Sequence, residues 1–322
     1  MATCASVLGP LARRIPDGEA SGWVNRPGEA LARVKGLQRS DEGASLFGIP
    51  VWKLMPGADP DTLSWSASDY PEAAKSSYQV FCRLRDEGKI PMTARFLVAM
   101  PTPYATLGLF LQPSDIARTL PSFARHVHRE LDDILSAIQP QDLSIQWDTA
   151  VEVVQILEKT SAAHATRFTP DDVAEWLATA CNWVPPGVEL GVHLCYGNPG
   201  GKHLVEPKDT SVMVEFCARL LPRIKRELSW LHMPVPIERD DDAYFTSLVK
   251  LRLSPETEFY LGLVHPRDGL DGGRRRINAA ARFAPSFGVA TECGLRFFPP
   301  DSIHKLLALH RVLAEEAARR HH

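Results

Sequence analysis

Short apolar, β-rich runs alternate with amphipathic helical stretches along most of this chain, and that alternation is what most limits its fold. The runs span residues 94–100, 143–147, 189–194, 231–237, 259–264 and 288–291. Between them lie helical patterns at 113–138, 170–179, 209–228 and 301–318. Thr169 ahead of Pro170 has the arrangement of an N-cap followed by an N1 proline, and Ser114 is a candidate N-cap. Strand followed by helix, repeated, means parallel strands joined by crossover helices. Eight such units close into a barrel, so two more strands are expected in the first 90 residues, around 6–8 and 48–54. The expected fold class is α/β, a single catalytic TIM (β/α)8 barrel over residues 1–320 with no second domain; a chain of 322 residues suits it.

Composition excludes several classes. Thirty-six Lys+Arg against 39 Asp+Glu give a formal charge of -3, without the basic surface of a general nucleic-acid binder. No apolar window reaches the length of a transmembrane helix. The N-terminal stretch MATCASVLGPLARRIPDG lacks the basic start and long apolar region of a signal peptide. The chain is therefore expected in the cytoplasm, as a monomer or homodimer, with no nucleic-acid or membrane partner. No GxGxxG or GxxxxGK[ST] supports a nucleotide fold. The six cysteines are far apart and read as thiols or metal ligands rather than a disulfide framework.

In an α/β barrel the chemistry sits at the C-terminal strand ends. Here those ends carry Gln146-Trp147-Asp148, His193-Leu194-Cys195-Tyr196, Ile237-Glu238-Arg239, His265-Pro266-Arg267 and Glu292-Cys293-Gly294. Two residues apart on a strand, His193 and Cys195 point to the same face, and imidazole and thiolate are both zinc ligands. Cys293 would arrive from a neighbouring strand end and Glu238 would be a fourth ligand, with Glu215 and His232 as rivals. Asp17 and Glu19 fall in the first strand-to-helix loop, which faces the site in a barrel. Tyr104, Trp147 and Tyr196 are candidate walls for a substrate, and Arg267 a candidate carboxylate or phosphate anchor.

At these residues the sequence resembles the C-terminal catalytic barrel of the cobalamin-independent methionine synthases, within the superfamily shared with uroporphyrinogen decarboxylase. HLCYGN (193–198) is similar to the family's HxCY, and ECGLR (292–296) to its DCGLKTR; the His and both Cys bind zinc in the family. IQWD (145–148) is similar to IQIDEP, whose Asp helps hold the substrate amino group. GLVHPRDG (262–269) is similar to GVYDIHSPR, whose His is a proposed proton shuttle. The motifs run in the family's order, and PDGEASGW, GKHLVEPKD and GVATECGLRF bring the chain nearer to short single-barrel proteins often called MetE-like or UROD/MetE-like. The resemblance thus implies Zn(2+) held by His193, Cys195, Cys293 and Glu238, with His265 and Asp148 as catalytic residues. Gln146, Trp147, Tyr104, Tyr196, Asp17, Glu19, Arg267 and Glu292 are the candidate substrate contacts.

Departures are visible. The family's folate-stacking segment is AMPTPYAT here (99–106), its DEP is DTA, and IERDDD stands in place of ETSRS. The expected activity is a zinc-dependent methyl or other alkyl transfer, with a small-molecule thiol acceptor held as a zinc thiolate and a separate alkyl donor. Thiol-dependent epoxide or ether cleavage is a close variant. A metal-independent decarboxylase of the uroporphyrinogen type, using arginines and an Asp, and a zinc-binding protein without catalysis are the alternatives.

Overall fold

The computed structural model describes residues 1–17, 22–44, 50–157, 168–198 and 202–320. In chain order its strands are β1 (Arg14–Pro16), β2 (Leu37–Ala44), β3 (Pro50–Leu54), β4 (Arg95–Pro101), β5 (Leu143–Thr149), β6 (Glu189–Leu194), β7 (Trp230–Pro234), β8 (Glu258–Gly262) and β9 (Gly288–Val289). Its α-helices are α1 (Ala2–Leu8), α2 (Asn25–Ala30), α3 (Tyr70–Asp86), α4 (Pro103–Phe110), α5 (Pro113–Ala137), α6 (Ala150–Leu157), α7 (Pro170–Trp183), α8 (Ser211–Leu220), α9 (Asp242–Phe245), α10 (Gly269–Ala280) and α11 (Ile303–Ala318). Among the described residues the main sheet has seven strands in the order β1-β4-β5-β6-β7-β8-β9, every pair parallel.

The strands form where apolar residues run without interruption, because one face meets the helices and the other the interior. Phe96, Val98 and Met100 of β4, Leu143, Ile145 and Trp147 of β5, and Leu190, Val192 and Leu194 of β6 are all buried. Helix α7 starts where its sequence says: Thr169 and Asp172 form a reciprocal capping box ahead of Pro170. At α5 the N-cap is Gln112 and Ser114 lies inside the first turn.

The sheet curls. Arg14 of β1 donates to Glu189 of β6 at 2.6 Å and to Glu258 of β8 at 2.7 Å, while its guanidinium lies 4.2 Å from the Trp230 ring centre on β7. With strands about 4.8 Å apart, a flat sheet would put β1 and β8 about 24 Å from each other. These contacts close the N-terminal ends of the strands with charge paired against charge. Helix α1 packs on α11, bringing the first and last helices together.

Above that plug the interior is built in register rows. Gln146, Gly191, Trp230 and Glu258 are mutual partners across β5 to β8; one row up come Asp148, His193, His232 and Tyr260. Gly191 makes the lower row possible, since a Cβ there would sit 1.8 Å from the Trp230 ring. The indole crosses the glycine and donates from Nε1 to Gln146 Oε1 at 3.2 Å. Gly191→Val is expected to displace Trp230 and lower stability by about 1–3 kcal/mol. A denaturant melt would check this, and an unchanged midpoint would show that the indole has room to move.

Two strand expectations change. Residues 6–8 belong to helix α1, with Ala5 buried against the body and Gly9 at φ 55 ending the helix. A three-residue apolar run cannot distinguish strand from helix by period. Residues 50–54 do form a strand, but it pairs antiparallel with β2 outside the main sheet. The first strand of the main sheet is instead Arg14–Pro16, where an inward arginine is paired across the interior.

Candidate metal centre

Three side chains meet at the C-terminal end of the sheet. His193 is the penultimate residue of β6, Cys195 follows the strand end, and Cys293 comes from the segment after β9. One ligand atom from each lies within 4.8 Å of the others. The two sulfurs are 3.9 Å apart. That is far beyond a disulfide bond of about 2.05 Å, so these are two thiols facing one another. The curl is what allows it, because β6 and β9 are three strands apart in the sheet order.

His193 is oriented from behind. In the adjacent register position, His232 donates from Nε2 to the Thr291 carbonyl at 3.1 Å. Burial and then the His193 charge push His232 well below the ordinary imidazole value, so it is neutral and its Nδ1 accepts. His193 Nδ1 donates to that nitrogen at 2.6 Å. His193 Nε2 thereby faces the cluster, where its lone pair would become available once the imidazolium gave up its Nε2 proton in favour of a bound metal ion, the arrangement typical of a metal-ligating histidine and its outer partner. Gly262 lets the third element in: a Cβ there would meet the Glu292 Cα, the Thr291 carbonyl and the His232 ring within 2.9 Å.

The two cysteines of the cluster are pushed in opposite directions. Cys195 donates toward Cys293, which, with His193 nearby, holds the Cys293 thiol well below its usual value against the cost of burial. The same contact and burial raise Cys195. Burial works against charge on His193, but the Cys293 sulfur and the Asp148 carboxylate raise it.

Beside the cluster stands a second group. Glu292 lies 2.9 Å from His203 Nε2 and 3.6 Å from His265 Nδ1. Burial raises the Glu292 carboxyl, opposed by His203. His203 is raised to about 9 despite burial because Glu292 and Glu206 flank it. His265 donates from Nε2 to the Val235 carbonyl at 2.8 Å, and burial with the Arg276 charge lowers it to about 4. It is therefore a neutral imidazole at neutral pH, with its Nδ1 lone pair facing Glu292. Asp148 accepts from Gln146 Nε2 at 2.9 Å, which ties it to the row below and sets it next to His193 in register.

Of the other expected site residues, Glu238, Arg267, Trp147 and Tyr104 lie elsewhere. The structure does not bring Glu238 to the cluster: its side chain is 80% exposed and pairs with Arg267 at 2.5 Å. The pairing of that segment runs to Val235, whose amide donates to the Gly262 carbonyl at 3.2 Å, and Pro236 has no N–H to carry it on; Arg239, bonded to Asp241 and the Lys208 carbonyl, fixes the turn outside. Arg267, in that surface pair, is 70% exposed. Trp147 points outward from β5, edge-on to Trp183 of α7. Tyr104 also faces the helix layer, against Phe168 and Trp176. Tyr196 is buried with its hydroxyl 2.9 Å from that of Tyr244, anchoring the following segment. Of the rivals, His232 is the partner of His193, while Glu215 lies on α8. Asp17 follows β1, its amide donating to the Leu97 carbonyl at 3.2 Å. Glu19 lies outside the described residues. Sequence reasoning passed over His203, although GKHLVEPKD contains it, and gave His232 no role behind His193.

No family model matches the chain, and no curated protein matches it. Among the described residues no helix is long and apolar enough to cross a membrane. Solved structures do match. A B12-independent methionine synthase from Shewanella sp. W3-18-1, in complex with selenomethionine, superposes with a TM-score of 0.58 at 15% identity, covering 98% of this chain and 85% of that one. A putative vitamin-B12-independent methionine synthase from Listeria monocytogenes gives 0.57 at 15% identity, covering 98% and 84%. The chain is thus similar in fold, over nearly its whole length, to B12-independent methionine synthases.

Proposed function

We propose that the chain closes as a single (β/α)8 barrel over residues 1–320 and transfers an alkyl group, methyl in the first instance, to a small-molecule thiol in a zinc-dependent reaction. The observation that carries this reading is the convergence of His193, Cys195 and Cys293 with His193 oriented by His232. The donor set fits zinc. Two sulfurs each about 2.3 Å from a tetrahedral ion are about 3.8 Å apart, and here the separation is 3.9 Å. Three protein ligands leave a fourth position, the pattern of catalytic rather than structural zinc. Bound there, zinc would supply a Lewis acid that keeps a thiol deprotonated near neutral pH.

The chain's own groups would do the rest. The Asp148 carboxylate, positioned by Gln146, would hold an ammonium on the substrate. As the sulfur–carbon bond forms and the carbon–leaving-group bond breaks, the leaving group needs a proton. Glu292, between His203 and His265, is placed to hold and pass it. The low value of His265 makes it a relay with Glu292 rather than a standing acid.

The decarboxylase reading loses its arginines. Arg274 pairs with Glu316, Arg275 with Asp240, Arg267 with Glu238, and the buried Arg276 with Asp268. The test is zinc-loaded protein incubated with small thiols and methyl donors, read by mass spectrometry for the S-methyl thioether. Thioether that disappears in Cys293→Ser supports the reading. Zinc-replete protein that methylates no thiol, together with a cobalt-substituted form whose absorption does not change when thiol is added, would overturn it.

A further inference from the structure

Two sulfurs that could be joined stand unjoined at the end of the sheet. Cys195 Sγ and Cys293 Sγ are 3.9 Å apart, and all six cysteines of the chain are free thiols. A disulfide needs about 2.05 Å, so about 1.9 Å of approach, shared between two side chains, separates this contact from a bond. The backbone permits that approach. Cys195 lies one residue beyond β6 and Cys293 in a bend after β9, so neither is locked into a strand ladder. The two segments are not neighbours in the sheet order, and the bond would not have to bridge paired strands. Gly294 follows Cys293, and glycine accommodates a change of backbone angle most easily.

The two thiols are not equivalent. Cys195 is 4% exposed, whereas Cys293 is partly open to solvent. A small oxidant therefore meets Cys293 first, with Cys195 behind it. A cysteine oxidised alone stops at the sulfenic acid or goes on to irreversible products, and a thiol beside it diverts it to a disulfide. The other four cysteines sit on separate helices: Cys4 on α1, Cys82 on α3, Cys181 on α7 and Cys217 on α8.

We infer that Cys293 and Cys195 are a peroxide-reactive pair, Cys293 the sulfur that is attacked and Cys195 the one that resolves it, and that their disulfide shuts the metal site. The Cys293 sulfur attacks one oxygen of hydrogen peroxide and the O–O bond breaks. Cys293 becomes a sulfenic acid, and the other oxygen leaves as water with the thiol proton. The Cys195 sulfur then attacks the Cys293 sulfur; the S–S bond forms, the S–O bond breaks, and a second water leaves with the Cys195 proton. The peroxide takes two electrons, one from each sulfur. A dithiol reverses the bond and is itself oxidised to a disulfide. Since two of the three converging ligands are consumed, the oxidised chain cannot hold an ion between them. The pairing stands on the sulfur geometry alone; only its consequence for the metal rests on the proposed function.

The test uses the full chain, reduced, with a chelator present to take up any ion released, and treated with hydrogen peroxide at neutral pH. Remaining thiols are blocked with N-ethylmaleimide and the digest is mapped without reduction. A peptide linking residues 195 and 293 is expected, with its two thiols restored by dithiothreitol. In Cys195→Ser, dimedone should trap a sulfenic acid on Cys293; in Cys293→Ser, dimedone labelling of Cys195 should be at least tenfold lower. After the chelator is removed, the oxidised chain should take up at least tenfold less zinc than the reduced chain. Absence of the linked peptide, linkage to Cys4 or Cys82 instead, dimedone on Cys195 rather than Cys293, or undiminished zinc uptake by the disulfide form would each overturn the assignment. Should a variant fail to fold, the linked peptide from the unaltered chain still decides it. A linked peptide from a chain whose reduced form takes up no zinc would uphold the pair and remove the zinc reading, so the two can fail separately.

Discussion

Protein purified without chelator is expected to carry about one zinc per chain, and Cys195→Ser, Cys293→Ser and His193→Ala each to lose it. The three ligand atoms already lie within 4.8 Å of one another, so little reorganisation separates this arrangement from a loaded site. Binding free energies of structural zinc reach about 10–16 kcal/mol, shared over few ligands, so removing one should weaken the site by orders of magnitude. His232→Phe tests the outer partner separately. It removes the acceptor of the His193 Nδ1–H without touching a ligand, and a loss of about 10- to 100-fold in zinc affinity is expected. The graded result, severe for ligands and moderate for His232, distinguishes an ordered metal centre from adventitious zinc on buried thiols. Glu238→Ala should leave metal content unchanged, because its carboxylate is exposed in a surface pair with Arg267. Zinc at full occupancy in Cys293→Ser would remove the basis for the proposed chemistry.

How much of this was legible in the sequence follows from how local each signal is. The HxC pair was readable because strand geometry alone puts both side chains on one face, and the later strands because their apolar runs are long. The early strand was not. Arg14-Ile15-Pro16 looks like a turn, and only the partners Glu189 and Glu258, far along the chain, make an inward arginine tolerable. Glu238 was expected at the cluster from its place at a strand end and from a family position. The segment carrying it is turned outward by Pro236 and by bonds from Arg239 to Asp241, two residues on, and to the Lys208 carbonyl. Trp147 and Tyr104 sit near strand ends, but whether they face inward depends on strand phase and helix placement. Both face the helix layer, where Tyr104 packs against Phe168 and Trp176. The His193–His232 contact needs neighbouring strands in register, which no local pattern encodes.

Arg276→Leu is expected to cost about 3–5 kcal/mol of stability, through the charge and acceptors it leaves behind rather than through lost packing. Arg276 has no exposed surface. Its guanidinium donates to the Leu263 carbonyl at 2.9 Å, to the Ile237 carbonyl at 2.7 Å, and to both oxygens of Asp268 at 2.7 and 2.8 Å. One side chain thus ties the ends of two strand segments to the turn that carries His265. Leucine fills similar space but strands two carbonyls and a carboxylate. Arg276→Lys should recover only part of the loss, since an ammonium cannot make the two-pronged contact with Asp268. The pH dependence gives a second reading. Although burial works against its charge, Asp268 is held below the ordinary carboxylate value by Arg276. A depressed folded value means that this stabilisation is fully present above the unfolded carboxylate range, near pH 4, and is lost as pH falls through the folded value. The gap between the unaltered chain and Arg276→Leu should therefore be widest near neutrality and narrow in acid. Urea melts at pH 7 and at about pH 3.5 measure both quantities. A gap under about 1 kcal/mol at pH 7, or one that does not narrow in acid, would mean that the turn is held by packing and that the Arg276–Asp268 pair is dispensable.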